Sequence, residues 1–243
     1  MNRKNSNRNI WALTLSLCFG VIFTHATGYA AEAKVSPAQF RSRLQGHDRQ
    51  LTSIEASFTQ IEAARATADK DKYADALNDT MAAYAKGMME SFDTATKQAE
   101  LANKSQGKEG SIALLKQFED LAAKHERTLK QLDARAQKMK APPEASAYEP
   151  AEGDNGWSLL EKIGDFFISP AQAAIAVSTY NQCHQSPPNQ AACAQAIVNA
   201  VTQGNAARNV FNTCWNNQES VRPKWWRAVK RAACTAVLVA RLA

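Results

Sequence analysis

From Phe40 to Ile61 apolar side chains recur at alternating steps of three and four: Phe40, Leu44, Leu51, Ile54, Phe58 and Ile61, with His47 in the one open slot. That period lines one stripe of an α-helix and makes a heptad seam. Ser36-Pro37-Ala38-Gln39 reads as its start: Ser36 can accept from the free N–H groups of the first turn, Pro37 fits the first helical position, and Gln39 completes a capping box. Asp69 to Lys72 is polar and predicts a turn. A second helix then carries Tyr73, Leu77, Met81, Tyr84, Met88, Phe92, Ala95 and Ala99, partly at an 11-residue spacing that would not supercoil left-handed. Gly87 lies inside it, at a cost of about 1 kcal/mol against Ala. Asn103 to Gly110 reads as a loop, with Ser111 expected to cap a third helix. Leu115, Phe118, Ala122, Leu129, Leu132, Ala136 and Met139 return to heptad spacing there, with His125 in the remaining slot, and Pro142-Pro143 ends it.

The pattern therefore predicts an all-α protein whose N-terminal part is a three-helix bundle or an elongated helical hairpin. None of these helices would be stable alone, so each must bury its stripe on a neighbour or on a partner. His47 and His125 occupy equivalent slots of helices that would run parallel. The two rings are then expected near one another, as part of the core; two ligands fall short of a metal site.

Ahead of the seams, Arg3, Lys4 and Arg8 precede an apolar run from Ile10 to Phe23, too short for the ~20 residues that span a membrane. Small residues at Gly28 and Ala30 follow, so residues 1–30 read as a signal peptide cut after Ala30, or after Ala33 as second choice. Cys18 lies inside that run and would be removed. The remaining cysteines, Cys183, Cys193, Cys214 and Cys234, are even in number, and in an exported chain they imply two disulfides.

Charge and composition then divide the rest. Residues 31–156 carry 18 Lys+Arg against 20 Asp+Glu, whereas 157–243 carry 8 against 3 together with all four of these cysteines. The shift places a helical bundle or coiled-coil domain at 31–140, a Pro-rich linker at 141–156 and a small disulfide-clipped helical domain at 157–243. Within the last, Trp157 to Ile168 predicts a short amphipathic helix and Ser169-Pro170 opens one ending near Cys183. Asn189 is expected to cap a helix that Gly204 terminates, Ala206 to Asn217 forms the next, and Ser220 to Pro223 begins the last. A hairpin at Gly204 would set Cys193 opposite Cys214, which leaves Cys183 for Cys234; the rival pairing is Cys183–Cys193 with Cys214–Cys234.

The terminal helix is the candidate contact surface. Trp225 and Trp226 begin an apolar face, while Arg227, Lys230, Arg231 and Arg241, with Lys224 beside them, form a basic one. That arrangement suits an anionic membrane surface or an acidic protein groove. No P-loop, dinucleotide fingerprint, zinc-ligand spacing or haem-attachment motif appears, so no cofactor is expected. His184, Glu161, Asp165 and Glu219 are all the histidine and acid of the C-terminal part, too few for a supported catalytic constellation. The sequence thus predicts a non-enzymatic periplasmic or secreted interaction protein with an envelope or extracellular protein partner. The alternatives are a membrane-active or toxic protein working through the basic Trp-rich helix, and last a small lytic enzyme. An oxidising compartment disfavours nucleic acid as a partner.

Overall fold

Ser36 accepts from the Gln39 N–H at 3.2 Å while the Gln39 side chain accepts from the Ser36 N–H at 3.0 Å, and the chain enters its first helix through this capping box. The computed structural model describes residues 35–64, 70–105, 109–139, 142, 178–185 and 189–243. Among these, six helices occur in chain order: α1 (Pro37–Ala63), α2 (Lys70–Lys104), α3 (Glu109–Gln137), α4 (Thr179–Cys183), α5 (Gln190–Asn217) and α6 (Lys224–Leu242). The signal-peptide segment, nearly all of the 141–156 linker and the amphipathic stretch 157–168 lie outside the described residues.

The first three helices run up, down and up. His47 meets Ser91 and Arg43 meets Thr94 across α1 and α2, so those two are antiparallel. Asp48 bonds Lys124 at 2.7 Å and Glu62 pairs with Arg135 across α1 and α3, which therefore run parallel. The buried residues of α1 are the predicted seam, His47 included. In α3 and the turn that follows it, the seam from Leu115 to Met139 is likewise buried. This helix begins at Glu109 rather than at a Ser111 cap.

The central helix α2 buries more than its predicted stripe. Ala74, Ala85, Ser91, Thr96 and Ala102 are also inside, and on α3 so are Leu114 and Leu121. The C-terminal helices pack on α2 and α3 as well. α5 lies antiparallel to α2, with the Asn103 side chain donating to Gln190 O at 3.1 Å and Arg208 to Asp93 at 2.7 Å. α6 packs on α2, α3 and α5, so the disulfide-clipped module and the bundle share one hydrophobic core. α4 is a single turn held at its N-terminus by Glu119 of α3, whose carboxylate accepts from Tyr180 N at 3.2 Å. Burial pushes that carboxyl above the usual range, and the N–H groups of α4 pull against it.

Three expectations for the C-terminal module need correction. The helix ending at Cys183 begins at Thr179, where Ser178 caps it, so it does not run unbroken from Ser169-Pro170, a predicted start that lies outside the described residues. Gly204 does not end a helix: α5 is continuous from its Asn189 cap to Asn217. A Cβ on Gly204 would overlap Cε1 of Phe92, so this glycine exists to let α5 approach α2. The nested cystine pairing falls with the hairpin. On one straight helix Cys193 and Cys214 are separated by about 30 Å at ~1.5 Å per residue and cannot bond. The disulfides are instead Cys183–Cys193, joining α4 to the start of α5, and Cys214–Cys234, joining α5 to α6. The second follows the antiparallel line of α5 and α6, along which Arg227 meets Glu219 and Arg231 meets Trp215.

Candidate functional site

His47 and His125 interrupt two apolar seams, and both rings are buried at the centre of the three-helix part. His125 places Nε2 2.9 Å from the Asp48 carboxylate and Nδ1 2.8 Å from the Tyr84 hydroxyl. A carboxylate only accepts, so Nε2 carries the proton and Tyr84 donates to Nδ1. His47 places Nδ1 3.1 Å from Gln50 Oε1 and Nε2 2.9 Å from Ser91 Oγ. Its ring stands edge-on to that of Tyr84, with centroids 6.2 Å apart, and the Tyr84 and His125 centroids are 5.8 Å apart. Tyr84 thus stands between the two imidazoles. A Cβ on Gly87 would lie 2.6 Å from Cε1 of His47, so the glycine inside α2 is the cradle for that ring.

Burial lowers the pKa of both histidines, outweighing the Asp48 bond that supports the His125 cation and the Gln50 bond that supports that of His47. For Asp48, burial works against ionisation, yet the bonds from His125 and Lys124 win and hold its carboxyl below the usual range. Burial, reinforced by the Asp48 charge, pushes the Tyr84 phenol far above its ordinary value.

The Asp48–His125–Tyr84 line has the connectivity of a charge-assisted nucleophile. It does not have the access: Tyr84 and His125 are both fully enclosed, and a nucleophile must meet its substrate. What the arrangement does is satisfy two neutral imidazoles inside an apolar seam. A shallow cleft of about 420 Å³ between Arg43, Arg49, Gln50 and Thr80 reaches the edge of His47. Among the described residues, no three His, Cys, Asp or Glu side chains gather as a metal site would require.

The terminal helix differs from its predicted role as a surface. Trp225 and Trp226 are buried, and so are Lys230 and Arg231. The guanidinium of Arg231 lies 4.4 Å from the Trp215 ring and pairs with Glu219; Lys230 stands 5.9 Å from the Trp226 ring. Arg227 is half-buried on Glu219 at 3.2 Å and Lys224 reaches Asp75 at 3.4 Å. Arg241 is half-buried near the C-terminus. The helix has an apolar and a basic face, as expected, but Trp225, Trp226, Lys230 and Arg231 are enclosed, Arg227 and Arg241 are partly covered, and Lys224 stays exposed. Glu219 is held below its ordinary pKa by its bond to Arg231; Glu161 and Asp165, the other acidic residues of the C-terminal part, lie outside the described residues.

The open surface lies instead on α5. Val198 is 58 % exposed and Val201 41 %, one turn apart on its outer side. Ala194, Gln195, Asn199, Thr202 and Asn205 surround them, all exposed. Of the whole helix only Arg208 is charged, and it is tied to Asp93. The sequence reading missed this face, because two valines among alanines and amides form no seam of large apolar residues. It also missed Tyr84, Asp48 and Ser91 as partners of the histidines; their seam register on facing helices was the available signal.

No protein-family model, curated protein or solved structure matches this chain.

Proposed function

We propose that this chain is an exported, non-enzymatic interaction protein that presents the outer face of α5 to a protein partner in the envelope or outside the cell. The observation that carries the reading is the pair of exposed valines in an uncharged face on a helix otherwise fixed to the core by Gly204 and Cys214. Such a face gives anionic lipid or nucleic acid nothing to attract, whereas small apolar groups among amides suit a protein surface of matching polarity. Two cystines support an oxidising compartment, and the basic, apolar and small-residue order of residues 1–33 supports export. No helix among the described residues is long and apolar enough to cross a membrane. The membrane-active alternative rests on α6, whose tryptophans and two of whose cations are buried.

The test places a photo-crosslinking side chain at Val198, or at exposed Ser42 on α1 as a control, in the producing cell. A discrete adduct from position 198, absent from position 42 and lost in a Val201→Glu background, is the expected result. Equal adducts from both positions, or an adduct indifferent to Val201→Glu, would overturn the assignment of the face. N-terminal sequencing of the envelope form, beginning at Ala31 or Lys34, tests export separately.

A further inference from the structure

The polar belt at His47 and His125 stands in slots where every heptad neighbour is apolar, and nothing in the proposed partner contact uses it. The bonding of His125 is complete only when its ring is neutral, and a charge on His47 would be enclosed. Asp48 can accept one proton from His125, and Tyr84 supplies the other ring nitrogen with one. Protonating Nδ1 of His125 would reverse that second bond and strand the Tyr84 hydroxyl proton, since the phenol is fully buried and bonds no side chain besides His125 among the described residues. Protonating His47 would let Nε2 donate to Ser91, whose hydroxyl can turn back to its own helix, but the charge itself would be enclosed against Gly87.

We propose that His47 and His125 form an acid-operated catch, which holds α1 against α2 and α3 at neutral pH and releases it as the surroundings acidify. Three features make α1 the moving part. The belt crosses both of its interfaces, through His47–Ser91 to α2 and through Asp48–His125 to α3; these two bonds survive protonation, and it is the enclosed charge that lifting α1 brings to water. α1 packs on α2 and α3, while α6 is wedged among α2, α3 and α5 and tied by Cys214–Cys234. The cleft beside Gln50 also brings solvent to the edge of His47.

The charges around the pair come from all three helices. On α1 are Arg43, which opposes the His47 cation, and Asp48, which favours both cations. On α2 is Glu90, which favours His47, and on α3 Lys124, which opposes His125. Burial outweighs the favourable ones, so each folded histidine titrates below its unfolded counterpart. Stability from this source is therefore complete above about pH 6.5, the unfolded value, and is lost as pH falls towards the folded values. Asp48, also depressed, acts in the same direction at lower pH. Within the window each proton taken up multiplies the opening constant by up to about ten per pH unit.

Hydrogen exchange on the full oxidised chain, corrected for intrinsic rates, tests this. Between pH 7.5 and 5.0 the opening constant of α1 amides should rise at least about tenfold, a conservative reading of that linkage, with a smaller rise in α5 and α6. The double variant His47→Gln/His125→Gln keeps one donor and one acceptor at each site and should remove the rise. A flat wild-type profile, an equal rise in all helices, or an unchanged rise in the double variant would overturn the proposal. If that variant does not fold, ring nitrogen chemical shifts of the wild type decide it. Both imidazoles must stay neutral down to the pH at which α1 opens, and a protonated His47 or His125 inside a closed bundle would refute the catch.

Discussion

Phe92 of α2 sets its ring edge where any side chain at Gly204 of α5 would have to stand. The same ring packs edge-on against Phe118 of α3 at 5.6 Å, so it is fixed from the other side. A glycine in mid-helix costs about 1 kcal/mol against Ala, and an intrinsic scale would call Gly204→Ala stabilising. The contact reverses the sign. Overpacking of this kind costs about 1–3 kcal/mol, so Gly204→Val should destabilise by roughly 2 kcal/mol in urea unfolding. Phe92→Leu, which withdraws the ring edge, should make the two changes less than additive. Additive losses would mean that the two residues do not meet.

Leu129 of α3 is almost fully enclosed, and Leu129→Ala should cost about 2–5 kcal/mol. A loss below about 0.5 kcal/mol, the range of surface substitutions, would remove α3 from the bundle.

The two cystines should separate under mild reduction. Cys183 is half-buried on single-turn α4, whereas Cys214 and Cys234 are both enclosed between α5 and α6. Thiol–disulfide exchange needs access to sulfur, so Cys183–Cys193 should open first in the native protein. Mapping without reduction should link 183 to 193 and 214 to 234. Replacing the 214–234 pair by serines, which frees a loop of about 20 residues, should cost on the order of 3 kcal/mol.

The elements that were legible in the sequence share one property: their buried positions carry large apolar side chains at regular steps. Phe40 to Ile61 and Leu115 to Met139 could be read residue by residue for that reason. The second face of α2 could not, because Ala74, Ala85 and Ala102 are as common on surfaces as in cores. Gly204 misled for a related reason. Glycine at a helix end and glycine at a helix crossing look alike in sequence, and only the partner Phe92 distinguishes them. The disulfide error followed from that reading and not from any property of the cysteines. In the candidate site, His47 and His125 announced themselves by occupying seam slots, but their partners are ordinary polar residues until the helices are set in register.

Trp225 and Trp226 were read as surface anchors because a basic amphipathic helix resembles a membrane-binding one. Their burial predicts that oxidised protein mixed with anionic vesicles shows no blue shift in tryptophan emission at moderate salt. A salt-insensitive shift would restore the membrane-active reading. Trp226→Ala should instead cost about 3–5 kcal/mol of stability.

The ion pair of Glu219 with Arg231 gives the least intuitive expectation. The two ends differ in exposure: the Arg231 side chain is 8 % exposed and that of Glu219 71 %. Arg231 also stacks on Trp215 and donates to its backbone oxygen at 3.4 Å. Removing the carboxylate strands a mostly buried guanidinium on its weaker partners. Removing the guanidinium strands only a carboxylate that water already reaches. Bonds to charged groups contribute about 1.5–3 kcal/mol, so Glu219→Ala should cost about that much, reduced by whatever Trp215 retains. Arg231→Met keeps the aliphatic stem that packs between α5 and α6 and removes the buried charge, and should cost less than about 1.5 kcal/mol. The exposed residue should therefore prove the more sensitive of the two in urea unfolding at low salt. Equal losses, or a larger loss for Arg231→Met, would show that the stacking on Trp215 holds the two helices together and that the pair with Glu219 is incidental.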